Sequence, residues 1–135
     1  NVRITINSHS FCLIPRAVFD KESGNSYLEF ALGHPVPANH RVLYHELLVV
    51  NAYNVFSIPN LWYDWMLNHF QNSSITFYHL TSPLIIGSLV SHAEYEEVRI
   101  ASVFFEKDYF TLIITEGTQL ILCNRFQFSQ PQEIV

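Results

Sequence analysis

Apolar and polar residues alternate most regularly in the last third of the chain, where the pattern predicts three consecutive strands. The strands are expected at Glu97–Phe105, Tyr109–Glu116 and Gln119–Phe128. β-Branched and aromatic residues fill the middle strand, as is typical of a half-buried sheet. Charged residues 106–108 form one turn, and Gly117 suits the other because glycine adopts positive φ at low cost. The pattern therefore predicts a three-stranded antiparallel meander.

The first strand of this meander carries apolar residues on both of its faces. Ile100 and Phe104 point one way, and Val103 and Phe105 point the other, because side chains alternate along a strand. Apolar residues on both faces are typical of a strand that is covered on both sides. We therefore expect cover on both faces of the meander near the end of this strand. A Ser and a Pro within residues 129–131 indicate that a helix begins after the meander.

The first two thirds of the chain alternates short strands with single helices. A capping box, Ser26-x-x-Glu29, marks the start of one helix, and Gly33 is typical of its C-terminal end. This helix is expected to turn Tyr27, Phe30 and Ala31 inward. The other predicted elements are strands at Val2–Asn7, Phe11–Ile14, Arg41–Val50, Val55–Ile58 and Ser74–Leu80, and helical segments at Pro15–Phe19, Pro59–Phe70 and Ser82–Ser91.

The order of elements predicts an α/β fold of ribonuclease H-like type, with mixed sheets and flanking helices. A β-α-β-α series is followed by a β-β-β-α start, which is the pattern of a duplicated domain. Residues 1–92 are then an incomplete first subdomain, and residues 97–135 open the second with the meander. On this interpretation the chain is the central part of a longer two-domain protein. We expect it to hide uncovered sheet surface by self-association, because open strand edges recruit other chains.

Composition changes this picture by excluding several classes of protein. Hydrophobic residues make up 49% of the chain and charged residues only 14%, against a usual charged share of about 25%. The seven Lys and Arg are scattered and the net charge is −5, so we expect no nucleic-acid binding. No apolar run approaches the roughly 18 residues that span a bilayer, and no signal peptide is visible, so we expect no membrane insertion. The prediction is a cytoplasmic protein.

The sequence offers no constellation for catalysis, for a cofactor or for a metal ion. Seven histidines occur, but none forms an H-x-H or H-x-x-x-H pair, so no metal site is predicted. Nucleases of this topology need a carboxylate in the middle of the first meander strand, where Ile100–Val103 holds none. No G-x-S-x-G motif or Cys–His signature is present, and Cys12 and Cys123 are expected to be reduced and buried.

The predicted helix Pro59–Phe70 is the single candidate for a functional surface. Trp62 and Trp65 lie about 300° apart around a helix, so both cannot point straight into the core. One interpretation is that Trp62, Trp65 and Phe70 pack against the sheet. The other is that they form an interaction face for a protein partner, because tryptophan is enriched among the residues that anchor protein interfaces.

Two stretches carry a resemblance to a known family. They are Leu13-Ile14-Pro15 with the following Phe19 and Tyr27-Leu28, and Leu120–Phe126, which includes Asn124. In these stretches and in the order of elements, the chain resembles a family of bacterial proteins of unknown function, mainly from Bacteroidetes, with an actin-like ATPase fold. The meander also looks like the opening of the second domain in the cell-division and pilus-assembly relatives of actin.

The resemblance implies a place for phosphates, at the turn between the first two strands of each domain. Such a turn needs glycines that expose backbone N–H groups, whereas residues 106–108 are Glu-Lys-Asp. We therefore favour a non-catalytic scaffold that binds a protein partner or itself, with no cofactor. The alternative is part of an actin-like ATPase whose nucleotide-binding segments lie outside the chain. A third alternative, an acidic small-molecule-binding domain, has nothing specific in its favour.

Overall fold

The computed structural model describes residues 1–128, and the helix start predicted at residues 129–131 lies outside that range. The chain divides into two units, Asn1–Ser82 and Pro83–Val135. Eight strands and three α-helices occur within the described residues, in the mixed α/β order that the sequence predicts. The division into subdomains 1–92 and 97–135 stays a prediction.

The first unit contains a parallel pair of strands, β1 (Val2–Ile6) and β5 (Ile75–His79). Exposed and half-buried residues alternate along β1, as the polar–apolar alternation of its sequence predicts. At the start of the pair, the backbone N–H of Val2 donates to the carbonyl of Ser74, 2.8 Å away.

The same unit contains an antiparallel sheet in the order β2-β4-β3. Its strands are β2 (Phe11–Pro15), β3 (His40–Leu47) and β4 (Ala52–Pro59). Residues 54–58 of the central strand are all buried, which is the pattern of a strand with neighbours on both sides and cover on both faces.

The predicted β3–β4 hairpin is correct, but its predicted boundaries are wrong. The structure ends β3 three residues early, at Leu47, and inserts a 3-10 helix at Leu48–Val50. Asn51 then adopts a left-handed conformation with φ 52°, and its N–H donates to the carbonyl of Leu48. Asparagine tolerates this conformation better than most residues, so the chain reverses there and β4 begins at once.

Helix α1 (Gly24–Leu32) begins two residues before the predicted capping box, so Ser26 is not its cap. A 3-10 helix at Lys21–Ser23 precedes it, held by the side chain of Asp20, which accepts from the N–H of Glu22. A Cβ added at Gly24 would lie 2.9 Å from a methyl carbon of Val42, so glycine permits this close approach.

The predicted inward face of α1 is wrong at Phe30 and Ala31, which are exposed, whereas Tyr27 is half-buried. Phe30 is 93% exposed, and Leu28 is fully buried instead. Gly33 ends the helix as predicted, in the left-handed conformation with φ 76°. Pro15 is followed by a short 3-10 helix at Arg16–Val18, where the sequence predicts a helical turn.

The remaining helices are α2 (Asn60–His69) and α3 (Thr81–His92), both within two residues of the predicted bounds. Tyr63 and Met66 of α2 are half-buried, and so is Phe70, the residue that caps its C-terminal end. The Tyr63 ring lies 5.3 Å from the ring of Phe77, and the guanidinium of Arg41 lies 4.1 Å from its centre. The inward side of α2 is therefore held by a tilted aromatic contact and a cation–π contact.

The second unit contains the predicted meander, with strands β6 (Arg99–Phe105), β7 (Tyr109–Glu116) and β8 (Gln119–Gln127) in that order. Gly117 takes φ 60° in the β7–β8 turn, as predicted. Alternate residues of β7, from Tyr109 to Thr115, are buried on one face.

Within the second unit, residues 83–128 supply no cover on the other face of the meander, where cover was expected. Val103 and Phe105 are exposed there, and so are Leu122 and Phe126 of β8. The hydrophobicity of β6 was a sound signal for a strand, but hydrophobicity alone does not establish what covers it. We name this the outer face of the meander.

Candidate interaction surface on helix α2

Helix α2 follows directly from the central strand β4, so its position is set by the best-buried strand of the first unit. Pro59 has the extended conformation of an N-cap residue, with φ −56° and ψ 136°. The first helical N–H, that of Asn60, donates to the carbonyl of Asn39, 2.8 Å away. This bond satisfies one of the N–H groups that a helix start leaves without an intrahelical partner.

The half-buried residues of α2 decide which residues face away from the fold. Tyr63, Met66 and Phe70 follow the spacing i, i+3, i+7, which places them on one face of a helix. Leu61, Trp62 and Trp65 fall outside that face, and they are 81%, 58% and 56% exposed. These three residues line a shallow depression of about 320 Å³, which we name the tryptophan surface.

The interpretation of Trp62 and Trp65 as core residues packed against the sheet is therefore wrong. Phe70, which the sequence grouped with them, is half-buried and does not line the depression. Its ring lies edge-on to His69, 4.9 Å away, and the His69 ring stacks on Trp65 at 4.8 Å and 10°. His69 was missed by sequence reasoning, although its position four residues after Trp65 is the spacing at which helical side chains meet.

The turn at residues 106–108 is exposed, and its backbone is already engaged in the meander. The N–H of Glu106 donates to the carbonyl of Tyr109, and the carbonyl of Asp108 accepts from the N–H of Phe128, each at 2.9 Å. At most two N–H groups of this turn are left to face a phosphate. The turn therefore lacks the array of glycine N–H groups that a phosphate cradle uses.

The two thiols are poorly suited to nucleophilic chemistry. Burial raises the pKa of Cys12 to about 11. Burial likewise raises the pKa of Cys123 to about 12, against an opposing effect of the nearby Arg125 charge. Neither cysteine forms a disulfide, and both thiols stay protonated at neutral pH. Because the thiolate is the reactive form, neither side chain suits a nucleophile.

The histidines are dispersed between buried and exposed positions. His79 is fully buried and bonded to Ser8 and Thr81. Burial lowers the pKa of His45, and the carboxylate of Glu46 opposes that shift. Within residues 1–128 no three His, Cys, Asp or Glu side chains gather as a metal site would require. The absence of a metal in the protein stays a prediction.

A family model described as "Protein of unknown function (DUF3822)" matches residues 1–135. The chain belongs to this family. No curated protein matches the chain.

Among solved structures, the DUF3822 chain is similar to a Bacteroides thetaiotaomicron VPI-5482 protein described as having an actin-like ATPase fold and unknown function. The TM-score is 0.88 and the sequence identity is 24%, so this likeness shows the fold alone. The superposition covers 98% of this chain and 50% of that one, so the chain spans about half the length of its solved relative.

The predicted resemblance to a family of unknown function with an actin-like ATPase fold is therefore confirmed at the level of family and fold. The Bacteroidetes element of that resemblance is supported by the Bacteroides relative alone. Duplication into two ribonuclease H-like domains stays a prediction. In the described part of the DUF3822 chain, no helix is both long and apolar enough to cross a bilayer.

Proposed function

We propose that this chain is a non-catalytic, actin-like-fold domain that binds another protein through the tryptophan surface. The observation that supports this most is the exposure of Leu61, Trp62 and Trp65 together on one helix. Single exposed apolar residues are ordinary, whereas grouped ones mark interaction sites. The proposal places the protein in the cytoplasm and treats residues 1–92 and 97–135 as parts of a duplicated ribonuclease H-like pair.

The magnitude of the exposed area is adequate for an anchor site. An exposed half of an indole leaves roughly 100–150 Å² of each tryptophan in water. Two such side chains represent about 5–7 kcal/mol of gross hydrophobic free energy, at about 25 cal/mol per Å². Association costs several kcal/mol of this, so the surface supplies the centre of an interface rather than a whole one.

The chemistry of the surface defines the partner. Within the described part of the chain only Leu61, Trp62 and Trp65 line the depression, so the partner inserts an aliphatic or aromatic side chain there. The chain carries a net charge of −5, and Asp64 is exposed between the two tryptophans in sequence. We therefore expect neutral or basic residues around the apolar anchor of the partner, because like charges oppose association.

Trp62→Ala and Trp65→Ala should each weaken partner binding at least tenfold while changing the free energy of unfolding by about 0.5 kcal/mol or less. The partner is first identified by a photo-reactive amino acid placed at position 65 in cells, and its affinity for each variant is then measured calorimetrically with purified protein. Val18→Ala serves as the control, because Val18 is an exposed apolar residue outside the surface.

Two results would contradict this proposal. One is crosslinking no stronger at position 65 than at position 18. The other is destabilisation of both tryptophan variants by 2 kcal/mol or more, at the order expected of core residues. Crosslinks between two copies of the chain would show that the partner is a second copy of the chain. Light scattering of the tryptophan variants would then show loss of the dimer.

The alternative function, part of an actin-like ATPase, is favoured by the fold of the solved relative. On this alternative, nucleotide is bound only by the longer protein. We expect no Mg-ATP binding by this chain, because the Glu-Lys-Asp turn presents two carboxylates and no glycine to a phosphate.

Isothermal titration with Mg-ATP tests this expectation, with Mg-GTP and magnesium alone as matched titrations. A micromolar dissociation constant, about −8 kcal/mol, would contradict it. Glu106→Gly and Asp108→Gly would then show whether the turn is responsible, since each removes one carboxylate and adds backbone freedom.

A further inference from the structure

A groove of about 250 Å³ lies within the second unit, between helix α3 and strand β6. Its lining combines three serines and a glycine with apolar residues that include Pro83 and Leu84. Gly87, Ser88, Ser91 and His92 of α3 contribute to one wall, and Ser102 and Phe104 of β6 to the other. We name it the α3–β6 groove.

The sequence of α3 explains why this space is left open. Ser88 is buried, whereas Gly87 and Ser91 are exposed, and none of the three carries a branched apolar side chain that could fill the groove. A Cβ added at Gly87 would meet no atom within 4 Å. Glycine inside a helix costs roughly 0.5–1 kcal/mol relative to alanine, so packing alone does not account for it here.

Ser88 supplies a second, independent observation. The residue is 5% exposed, and its hydroxyl has no hydrogen-bond partner in the described part of the chain. A buried hydroxyl without a partner is unfavourable. Because a serine hydroxyl occupies three staggered positions, it can turn toward a polar group that enters the groove.

His92 adds a directional group to the same wall. Its Nδ1 lies 3.3 Å from the hydroxyl oxygen of Thr115, which is a buried residue of β7. This contact orients the ring, and His92 is one of the residues that line the groove. In a neutral imidazole one ring nitrogen carries the proton and donates, and the other accepts. The ring can therefore bond to either a hydrogen-bond donor or an acceptor, depending on its tautomer.

We infer that the α3–β6 groove binds a small, uncharged, polyhydroxylated molecule of about monosaccharide size. Among residues 1–128, no Lys, Arg, Asp or Glu lines the groove, which argues against a charged ligand. Serine hydroxyls both donate and accept, as sugar hydroxyls do, and Phe104 offers an apolar wall to the C–H face of a sugar ring. The volume is below the roughly 300–1,000 Å³ of pockets for drug-sized ligands.

Titration of the ¹⁵N-labelled chain with D-glucose, D-galactose and myo-inositol tests this inference by amide chemical shifts. For at least one probe we expect shifts confined to residues 83–92 and 102–104, with a dissociation constant on the order of 1 mM. Glucose 6-phosphate should bind at least tenfold more weakly than glucose, because the described lining holds no Lys or Arg to balance its charge.

Three variants make the test specific. Gly87→Leu should abolish the shifts without unfolding the chain, because its side chain enters open space and fills the groove. Ser88→Ala should weaken binding about tenfold, the equivalent of about one hydrogen bond. Val90→Leu is the control, since Val90 is exposed and does not line the groove.

The inference would be overturned by an absence of shifts with all three neutral probes at concentrations about a hundredfold above 1 mM. Shifts that survive in Gly87→Leu would also overturn it, because they would arise elsewhere. A groove that holds ordered water only would give neither probe-dependent shifts nor any difference between Ser88→Ala and Val90→Leu.

Discussion

Phe56→Ala is expected to lower the free energy of unfolding by about 3–5 kcal/mol. Phe56 has no exposed surface and lies in the centre of β4, opposite Phe11 of β2 and Leu43 of β3. Its ring also contacts the buried ring of His79, with centroids 5.7 Å apart. Truncation removes the hydrophobic gain of the ring and leaves a cavity that a strand bonded on both edges cannot close.

Phe30→Ala is the matched control, since it is the same substitution at a phenylalanine that is 93% exposed. We expect a change within about 0.5 kcal/mol, in the stabilising direction, because alanine is the better helix former inside α1. Chemical denaturation with a constant m-value measures both variants. Equal destabilisation by the two substitutions would contradict the placement of Phe30 on the outer side of α1.

The strands were the most predictable part of the fold. Every predicted strand is present. Alternation of apolar and polar residues over five to eight positions indicates a strand with one covered face. The β3–β4 corner was not predictable in detail. Leu48–Val50 is apolar and continues the strand pattern, whereas the turn depends on the left-handed conformation of the single residue Asn51.

Helix faces were predicted less well, because α1 and α2 carry apolar residues around much of their circumference. Hydrophobicity does not choose between Leu28 and Phe30, whereas the close approach of Gly24 to Val42 does, and that contact is non-local. In α2 the signal was present in the sequence. Tyr63 and Met66 have a helical spacing that continues to Phe70, and this stripe excludes both tryptophans.

The buried polar network of the first unit gave no sequence signal. Asn54 and His79 are 25 residues apart in the sequence. A single polar residue in an apolar strand does not indicate which other residue it bonds to. His79 Nε2 lies 2.7 Å from the carbonyl of Ser8, so this nitrogen donates. Nδ1 must therefore accept in the neutral ring, and the N–H of Thr81 donates to it at 3.2 Å. Only the tautomer of His79 with its proton on Nε2 fits these two roles.

The same logic fixes the role of Asn54. The Thr81 hydroxyl lies 2.8 Å from His79 Nδ1 and donates to it, so the Thr81 oxygen accepts from its other neighbour. That neighbour is Nδ2 of Asn54, at 2.8 Å, and the second proton of Nδ2 reaches the Ser82 hydroxyl at 2.9 Å. One amide thus ties the central strand β4 to the first two residues of α3.

Asn54→Ala is therefore expected to lower the free energy of unfolding by about 2–3 kcal/mol, since two buried hydroxyls lose their donor. Asn68→Ala is the control, because Asn68 is an exposed residue of α2 and should change stability by about 0.5 kcal/mol or less.

The double variant Asn54→Ala/Ser82→Ala distinguishes loss of the network from simple loss of volume. Ser82→Ala removes a hydroxyl that Asn54→Ala would leave without its donor, so the double variant should cost less than the sum of the two single variants. A coupling free energy of about 0.5–1.5 kcal/mol is expected for directly bonded side chains. Strict additivity would show that the Asn54 amide does not donate to Ser82, and the cost of Asn54→Ala would then belong to its bond with Thr81 and to the cavity.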